Sequence, residues 1–434
     1  MRPQMLQACL VAASRLERGS RIRRGDRSPD LQCVSLERTL PSIGTIAEPP
    51  MRLSDCRNIS DLRRLAARRL PAPIFHFAEG GSDDELLLHE NCAAFERWKL
   101  VPEYLVDVDH IDTRCRVLGK EASIPLLLSP TGMSRLFHRD KEAAVAAAAA
   151  KAGVPYALSM MSSATIEKVA ESQNAGNIFQ IKVLKDRGLA REFLSRCRAS
   201  GYAALCILVD APVGGNRERD LKYGMTMPPG ITAKSVLKFA ARPLWTASYF
   251  LGSDFSLANF EHIPEARRNG ISGLVKYAGE QTDRRATWED AAWLAQEWGG
   301  PTTLKGLQSA SDAKRAVQYG FKSIMISNHG GRQLDGGRPP MDCIREIRSA
   351  VGGDIELIID GGVRRGAHVV KAIAAGANAC SIGRPYIYGL AADGQAGVEK
   401  CISIFNTEIE RCMALIGCKQ IADINERHVQ WIVI

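Results

Sequence analysis

The stretch SNHGGRQLDGG, residues 327–337, sets His329 and Arg332 three positions apart on a turn loosened by glycine, directly after the apolar run SIMI. An imidazole exchanges protons near neutral pH. A guanidinium grips a carboxylate or phosphate through two parallel N–H donors. Alone, a histidine after a strand is more often structural, so the pair needs company. Company exists: Thr131, Ser159, Gln180, Asp210, Lys305, Asp360 and Arg384 also lie at the ends of short apolar runs. Two of those ends are glycine turns followed by arginine, IIDGGVRRG with Arg364 and SIGRP with Arg384. Glycine there lets backbone N–H groups approach a phosphate, and the next helix N-terminus favours the anion.

The elements that must position these groups repeat one pattern. Apolar runs occur at 125–132, 154–160, 177–183, 204–212, 302–306, 323–331, 355–362 and 379–385. Each carries β-branched residues and no alternation, the mark of a strand buried on both faces. Helical stretches such as DKEAAVAAAAAKAG and RGLAREFLSRCRASG lie between them, several closing on a glycine suited to a C-cap. Eight such units predict an α/β chain folded as a (β/α)8 TIM barrel, whose chemistry sits at the strand C-terminal ends. A doubly wound sheet is the runner-up. The phosphate turns fall at strands seven and eight, where barrels commonly bind phosphate.

One connection is long. After strand four an insertion spans residues 218–287, containing MPPGITAKSVLKFAARPLWTASYFL at 227–251, basic and aromatic together. Two readings stay open: a lid on the barrel mouth, or an amphipathic segment making peripheral membrane contact. The formal charge of +9 is spread over 434 residues with acids and bases interleaved, so no nucleic-acid stripe is present. Twelve cysteines form no C-x-x-C pair, and Cys197, Cys206, Cys380 and Cys412 sit in apolar segments. They read as buried thiols in a reducing, cytoplasmic setting, with no metal site. Residues 1–50 carry eight arginines against five acids and little periodicity. They are expected to be a disordered or spurious N-terminal extension, with the domain at 51–430.

The motifs LSPTGM, FQIKVLKDRG, LVDAPVGGNRERD, TLKG, SNHGGRQLDGG, DGGVRRG and GRPYIYGLAADGQAGVE, in this order, resemble the FMN-dependent α-hydroxy acid dehydrogenase/oxidase family. The likeness runs from about residue 55 to 425 and leaves out much of the insertion. It implies FMN, a small 2-hydroxy acid substrate oxidised to the 2-keto acid, and a homotetramer. His329 resembles the catalytic base, and Asp210 the carboxylate that orients it. Arg217 and Arg332 resemble the clamp on the substrate carboxylate, and Lys305 the cation beside the flavin. Pro130, Thr131, Gly132, Ser159 and Gln180 would contact the ring. Ser327 and Asp360 would face the ribityl and phosphate side, with Gly361, Gly362, Arg364, Gly383 and Arg384 around the phosphate.

Three positions depart from the family pattern. Phe77 stands where a tyrosine hydroxyl usually binds the substrate carboxylate, and Lys182 where a tyrosine usually meets the substrate oxygen. Leu208 replaces a threonine that often touches the flavin. Losing one hydrogen bond to a charged group costs roughly 1.5–3 kcal/mol. The departures therefore bear on the substrate, not on the reaction class, and suggest a larger acid or one with a second acidic or oxygen-rich group. Gly132 matches the dehydrogenases and the monooxygenase more than the oxidases, which often have alanine there. That leans towards a quinone or other carrier as acceptor, with oxygen the alternative. Two further readings remain: a flavin-binding barrel with lost chemistry, and an isomerase-type FMN barrel that gives His329, Arg332 and Arg217 no task.

Overall fold

The computed structural model describes residues 51–172, 176–225, 233–252 and 255–432, so the expectations for residues 1–50 and for 226–232 lie outside the described residues. Eight parallel strands form one sheet: β1 (Leu126–Leu128), β2 (Ala157–Ser159), β3 (Ile178–Lys182), β4 (Ala204–Leu208), β5 (Thr302–Leu307), β6 (Ser323–Ser327), β7 (Glu356–Asp360) and β8 (Ala379–Ile382). Neighbours pair in chain order, β8 pairs with β1, and a parallel bridge from Leu128 to Tyr156 joins β1 to the start of β2. The sheet thus closes into the (β/α)8 barrel expected from the eight apolar runs.

Every residue of β1, β2, β4, β6 and β8 is buried. One face packs on the surrounding helices. The other meets inside the barrel, where Leu127, Ala157, Ile178, Cys206, Met325, Ile358 and Ala379 form a separate inner cluster. A hairpin of Cys115–Val117 and Lys120–Ala122 closes the bottom, adding Val117, Leu118 and Ala122 to that cluster. Apolar layers fill the lower barrel, so the inward positions at the strand tops are left for polar groups: Ser129, Ser159, Gln180, Lys182, Lys305, Ser327, Asp360 and Ser381. All but Lys182 are buried outright, and Lys182 is half-buried.

The connection after β4 carries the helices Glu218–Tyr223, Ala233–Ala240, Pro243–Leu251, Pro264–Arg267 and Gly270–Glu280 before the barrel helix Trp288–Trp298. Part of it packs on the loop that follows β1. Trp245 Nε1 donates to the Leu136 carbonyl at 3.0 Å, and Arg135 donates to the carbonyls of Ser248 and Tyr249 at 2.8 and 3.1 Å. No helix among the described residues is long and apolar enough to cross a membrane.

Candidate active site

A cavity of about 360 Å³ opens at the C-terminal ends of the strands. Of the twenty residues singled out from the sequence, all but Asp210 and Ser327 line it. Those two stand directly behind lining residues. Asp210 Oδ1 lies 3.1 Å from His329 Nδ1, and Ser327 accepts from Lys305 Nζ at 2.7 Å. Ser327, expected to face the ribityl and phosphate side, sits beneath the cavity floor formed by Lys305 and Asp360. Its hydroxyl also receives the His329 backbone N–H at 3.0 Å and donates to Asp360 at 2.7 Å.

His329 adopts φ +58°, a left-handed conformation rare for a residue with a side chain. The turn therefore projects the imidazole into the cavity while its backbone stays bonded to Ser327. With Nδ1 engaged by a carboxylate, Nε2 is the nitrogen left to accept a proton. Asp210 reaches the ring because residue 306 is glycine. A Cβ built there would lie 2.5 Å from Asp210 Cβ, and Gly306 has φ +120°. The second carboxylate oxygen of Asp210 is buried without a hydrogen-bond partner.

Lys305 is the hub below the cavity. Its ammonium donates to Asp360 Oδ2 at 2.5 Å, and Asp360 Oδ1 accepts from Ser129 at 2.9 Å. Burial alone would lower the lysine pKa, but the carboxylates of Asp360 and Asp210 outweigh it and raise the value. Burial likewise pushes Asp360 up, and the adjacent Lys305 brings it below the ordinary carboxylate range. Both groups are thus held ionised at neutral pH.

The cation side of the cavity is organised around Phe77. The guanidinium carbons of Arg217 and Arg332 lie 5.3 and 5.2 Å from its ring centroid. Arg332 Nη1 donates to the carbonyls of Phe77 and Gly80 at 2.9 and 2.8 Å, and Arg217 Nε pairs with Asp220 at 3.0 Å. Burial, with Arg217 and Arg384 nearby, holds the Arg332 pKa well below its usual value. An anion would relieve that repulsion. Opposite, Lys182 Nζ donates to the Ala211 carbonyl at 3.3 Å. Asp186, four residues further on, caps the helix Arg187–Ala199 through Leu189 N–H. Burial lowers the Lys182 pKa, opposed by Asp210.

The remaining wall fits a planar donor–acceptor ring carrying a phosphate. Gln180 Oε1 accepts from Ser159 at 2.9 Å, while Gln180 Nε2 and Ser381 Oγ are buried without partners. Such orphaned polar groups await a ligand's acceptor or donor. Gly361, Gly362 and Gly383 line the wall beside Arg364. Arg384 lines it too, but its N–H groups also reach the carbonyls of Ala78, Glu79, Gly80 and Gly330, tying two loops together. The sequence reading missed Ser129 and Tyr386, whose hydroxyl donates to the Ser129 carbonyl at 2.8 Å. It also missed Asp220, whose place three residues after Arg217 in RERD was the available signal.

Comparison with known proteins returns one family. The family described as FMN-dependent dehydrogenase matches residues 66–431. An L-lactate oxidase of Nostoc sp. is 42% identical over 372 residues, 85% of this chain and 96% of that protein. A putative L-lactate dehydrogenase of Mycobacterium tuberculosis is 36% identical over 379 residues, 87% of this chain and 90% of that protein. Among solved structures, a monotopic membrane protein, (S)-mandelate dehydrogenase, superposes with a TM-score of 0.83 at 35% identity, covering 87% of this chain and all of that one.

Proposed function

The chain belongs to the FMN-dependent dehydrogenase family, and from that premise we propose that it oxidises an L-2-hydroxy acid to the 2-keto acid, passing the electrons to a quinone or other carrier. That the chain uses FMN and acts on the CH–OH group of a hydroxy acid follows from its family. The carrier and the substrate side chain are the proposal. The observation that carries it is one cavity holding the His329–Asp210 pair, two arginines around Phe77, and the unpartnered Gln180 amide.

Bound FMN supplies a two-electron acceptor. Gln180, Ser159 and the Pro130–Gly132 backbone would hold its ring, with Gly361, Gly362, Arg364 and Gly383 around its phosphate. The rest is done by side chains. Arg332 and Arg217 fix the substrate carboxylate and so set which hydrogen-bearing carbon faces the ring. His329 Nε2 accepts a proton from the substrate, and Asp210 stabilises the imidazolium that results. Lys305, held cationic, would favour negative charge on the cofactor as it takes up electrons.

Lys182 narrows the substrate. Its ammonium lies on the cavity wall with, among the described residues, only a backbone carbonyl at 3.3 Å as hydrogen-bond partner. A second acidic or oxygen-rich group on the substrate would give that charge a better one. Leaning towards a dehydrogenase, Gly132 sits where a Cβ would lie 2.8 Å from the Met161 carbonyl oxygen, so this backbone excludes alanine without a shift. The Nostoc relative, named an oxidase, supports oxygen as the second reading. Anaerobic bleaching of the flavin by a panel of hydroxy acids, followed by reoxidation with oxygen or a soluble quinone, tests both. No bleaching by any 2-hydroxy acid would refute the substrate class; faster reoxidation by oxygen would refute the acceptor.

A further inference from the structure

Phe137 lines the active-site cavity and also a second one of about 620 Å³. The second cavity is walled by the end of the helix Ile59–Arg69, the loop after β1, and the insertion around Ala241–Ser248. Arg68, Arg69, Arg135, Arg139 and Arg242 line it, and no aspartate or glutamate does among the described residues. None of these arginines has a task in the hydroxy acid reaction.

The insertion makes this a cavity and not a flat basic surface. Arg242 Nη2 donates to the Ala67 carbonyl at 3.3 Å, and Arg135, 1% exposed, holds the carbonyls of Ser248 and Tyr249. These bonds bring insertion and barrel together around the arginines. Arg242 Nε is buried there without a hydrogen-bond partner. Among the described residues, Arg69 and Arg139 are engaged only at the surface, with Asp393 at 3.1 Å and Asp140 at 3.6 Å. Solvent-exposed pairs of that kind are worth little and yield to a stronger anion. Beside the cations lies an apolar wall. Trp245 stacks between Phe239 and Tyr249, at centroid distances of 5.7 and 4.8 Å, and Leu244 at the rim is 88% exposed.

We propose that this cavity binds a phosphate carried on an apolar body, at a site separate from the flavin cavity. Guanidinium groups match phosphate oxygens two by two, which ammonium groups do not. The volume suits a head group or small organic phosphate, and the exposed Leu244 beside Trp245 offers the apolar body a place to continue. That chemistry has two sources, the head group of an anionic phospholipid or a soluble phosphate ester.

The full-length, FMN-loaded protein is mixed with phosphatidylglycerol-containing vesicles, with phosphatidylcholine vesicles, and, by calorimetry, with n-octyl phosphate and inorganic phosphate. The variants are Arg139→Glu/Arg242→Glu, Arg139→Gln/Arg242→Gln in case the first does not fold, and Leu244→Ser. FMN content and thermal midpoint serve as folding controls. The expected result is binding of a phosphate probe that the arginine variants weaken by at least about tenfold, as loss of charged hydrogen bonds implies. If phosphatidylglycerol vesicles bind and both the arginine variants and Leu244→Ser release them, the source is lipid. If only octyl phosphate or phosphate binds, sensitive to the arginines, the source is soluble. Binding of no probe, or binding that the arginine variants leave intact, overturns the proposal. Failure of the hydroxy acid reading would leave this result untouched, because the readout is binding and not turnover.

Discussion

The two cavities that meet at Phe137 hold cations by opposite means. In the active site the buried lysine and the base are pinned to the barrel: Lys305 to Asp360 and Ser327 at 2.5 and 2.7 Å, His329 to Asp210 at 3.1 Å. In the arginine-lined cavity the charges come from a helix end, a loop and an insertion, and two of their ion pairs are largely exposed. Proton transfer demands placement within hydrogen-bond reach of one atom. Holding an anion demands only enough N–H groups nearby. The strand ends meet the first demand because eight hydrogen-bonded strands fix their geometry; the insertion meets only the second.

The sharpest way to break this contrast is at His329. His329→Ala should retain FMN yet reduce it at least ~10²–10⁴-fold more slowly with substrate, the usual worth of a general base. Stopped-flow bleaching checks this, and a variant retaining a tenth of the wild-type rate would remove His329 from the mechanism. Lys305→Met should follow in size. It leaves Asp360, 6% exposed, as a buried unpaired charge, a change that costs about 3–5 kcal/mol. Denaturant unfolding would reveal it. The acid limb carries a sign: Asp360 is depressed, so the pair stabilises above the ordinary carboxylate pKa, and that contribution is lost as pH falls through the depressed value.

Lys182→Met should lower kcat/KM for the best substrate by roughly 10–100-fold, the equivalent of one charged hydrogen bond. Because burial lowers the Lys182 pKa, its charge disappears at lower pH than that of an ordinary lysine. In the wild type, kcat/KM should decline as pH rises through that value, and the limb should be missing in Lys182→Met. A silent substitution would assign the ammonium to Ala211 alone. Phe77→Tyr, adding a hydroxyl to the ring near which both guanidiniums sit, should improve lactate or glycolate use several-fold, at most about tenfold. Smallest of all, Leu244→Ser should leave flavin reduction by substrate unchanged; a loss would show that the two cavities are coupled.

The eight strands, their order and the polar residue ending each were legible because a doubly buried strand writes itself as a continuous apolar run. Barrel geometry then sends its C-terminal end to one mouth. His329, Asp210, Lys305 and the two glycine turns are therefore readable from the sequence. What the alternation could not say was depth. Ser327 and His329 lie two residues apart, yet one is a support and the other lines the cavity, because the chain turns left-handed at His329.

Contacts across long stretches of chain were silent in the sequence. Arg332 finds its partners at Phe77 and Gly80, and Arg384 bridges Gly80 to Gly330. Asn91 and Asn328 bond side chain to side chain at 3.0 Å, across 237 residues. The arginine-lined cavity is of this kind too, since its walls come from segments far apart in the chain that no periodicity relates. Local pattern records which face of an element is buried and where a strand stops. Which loops then meet over the barrel mouth depends on closure of the sheet and on packing of the insertion, and those are properties of the folded chain alone.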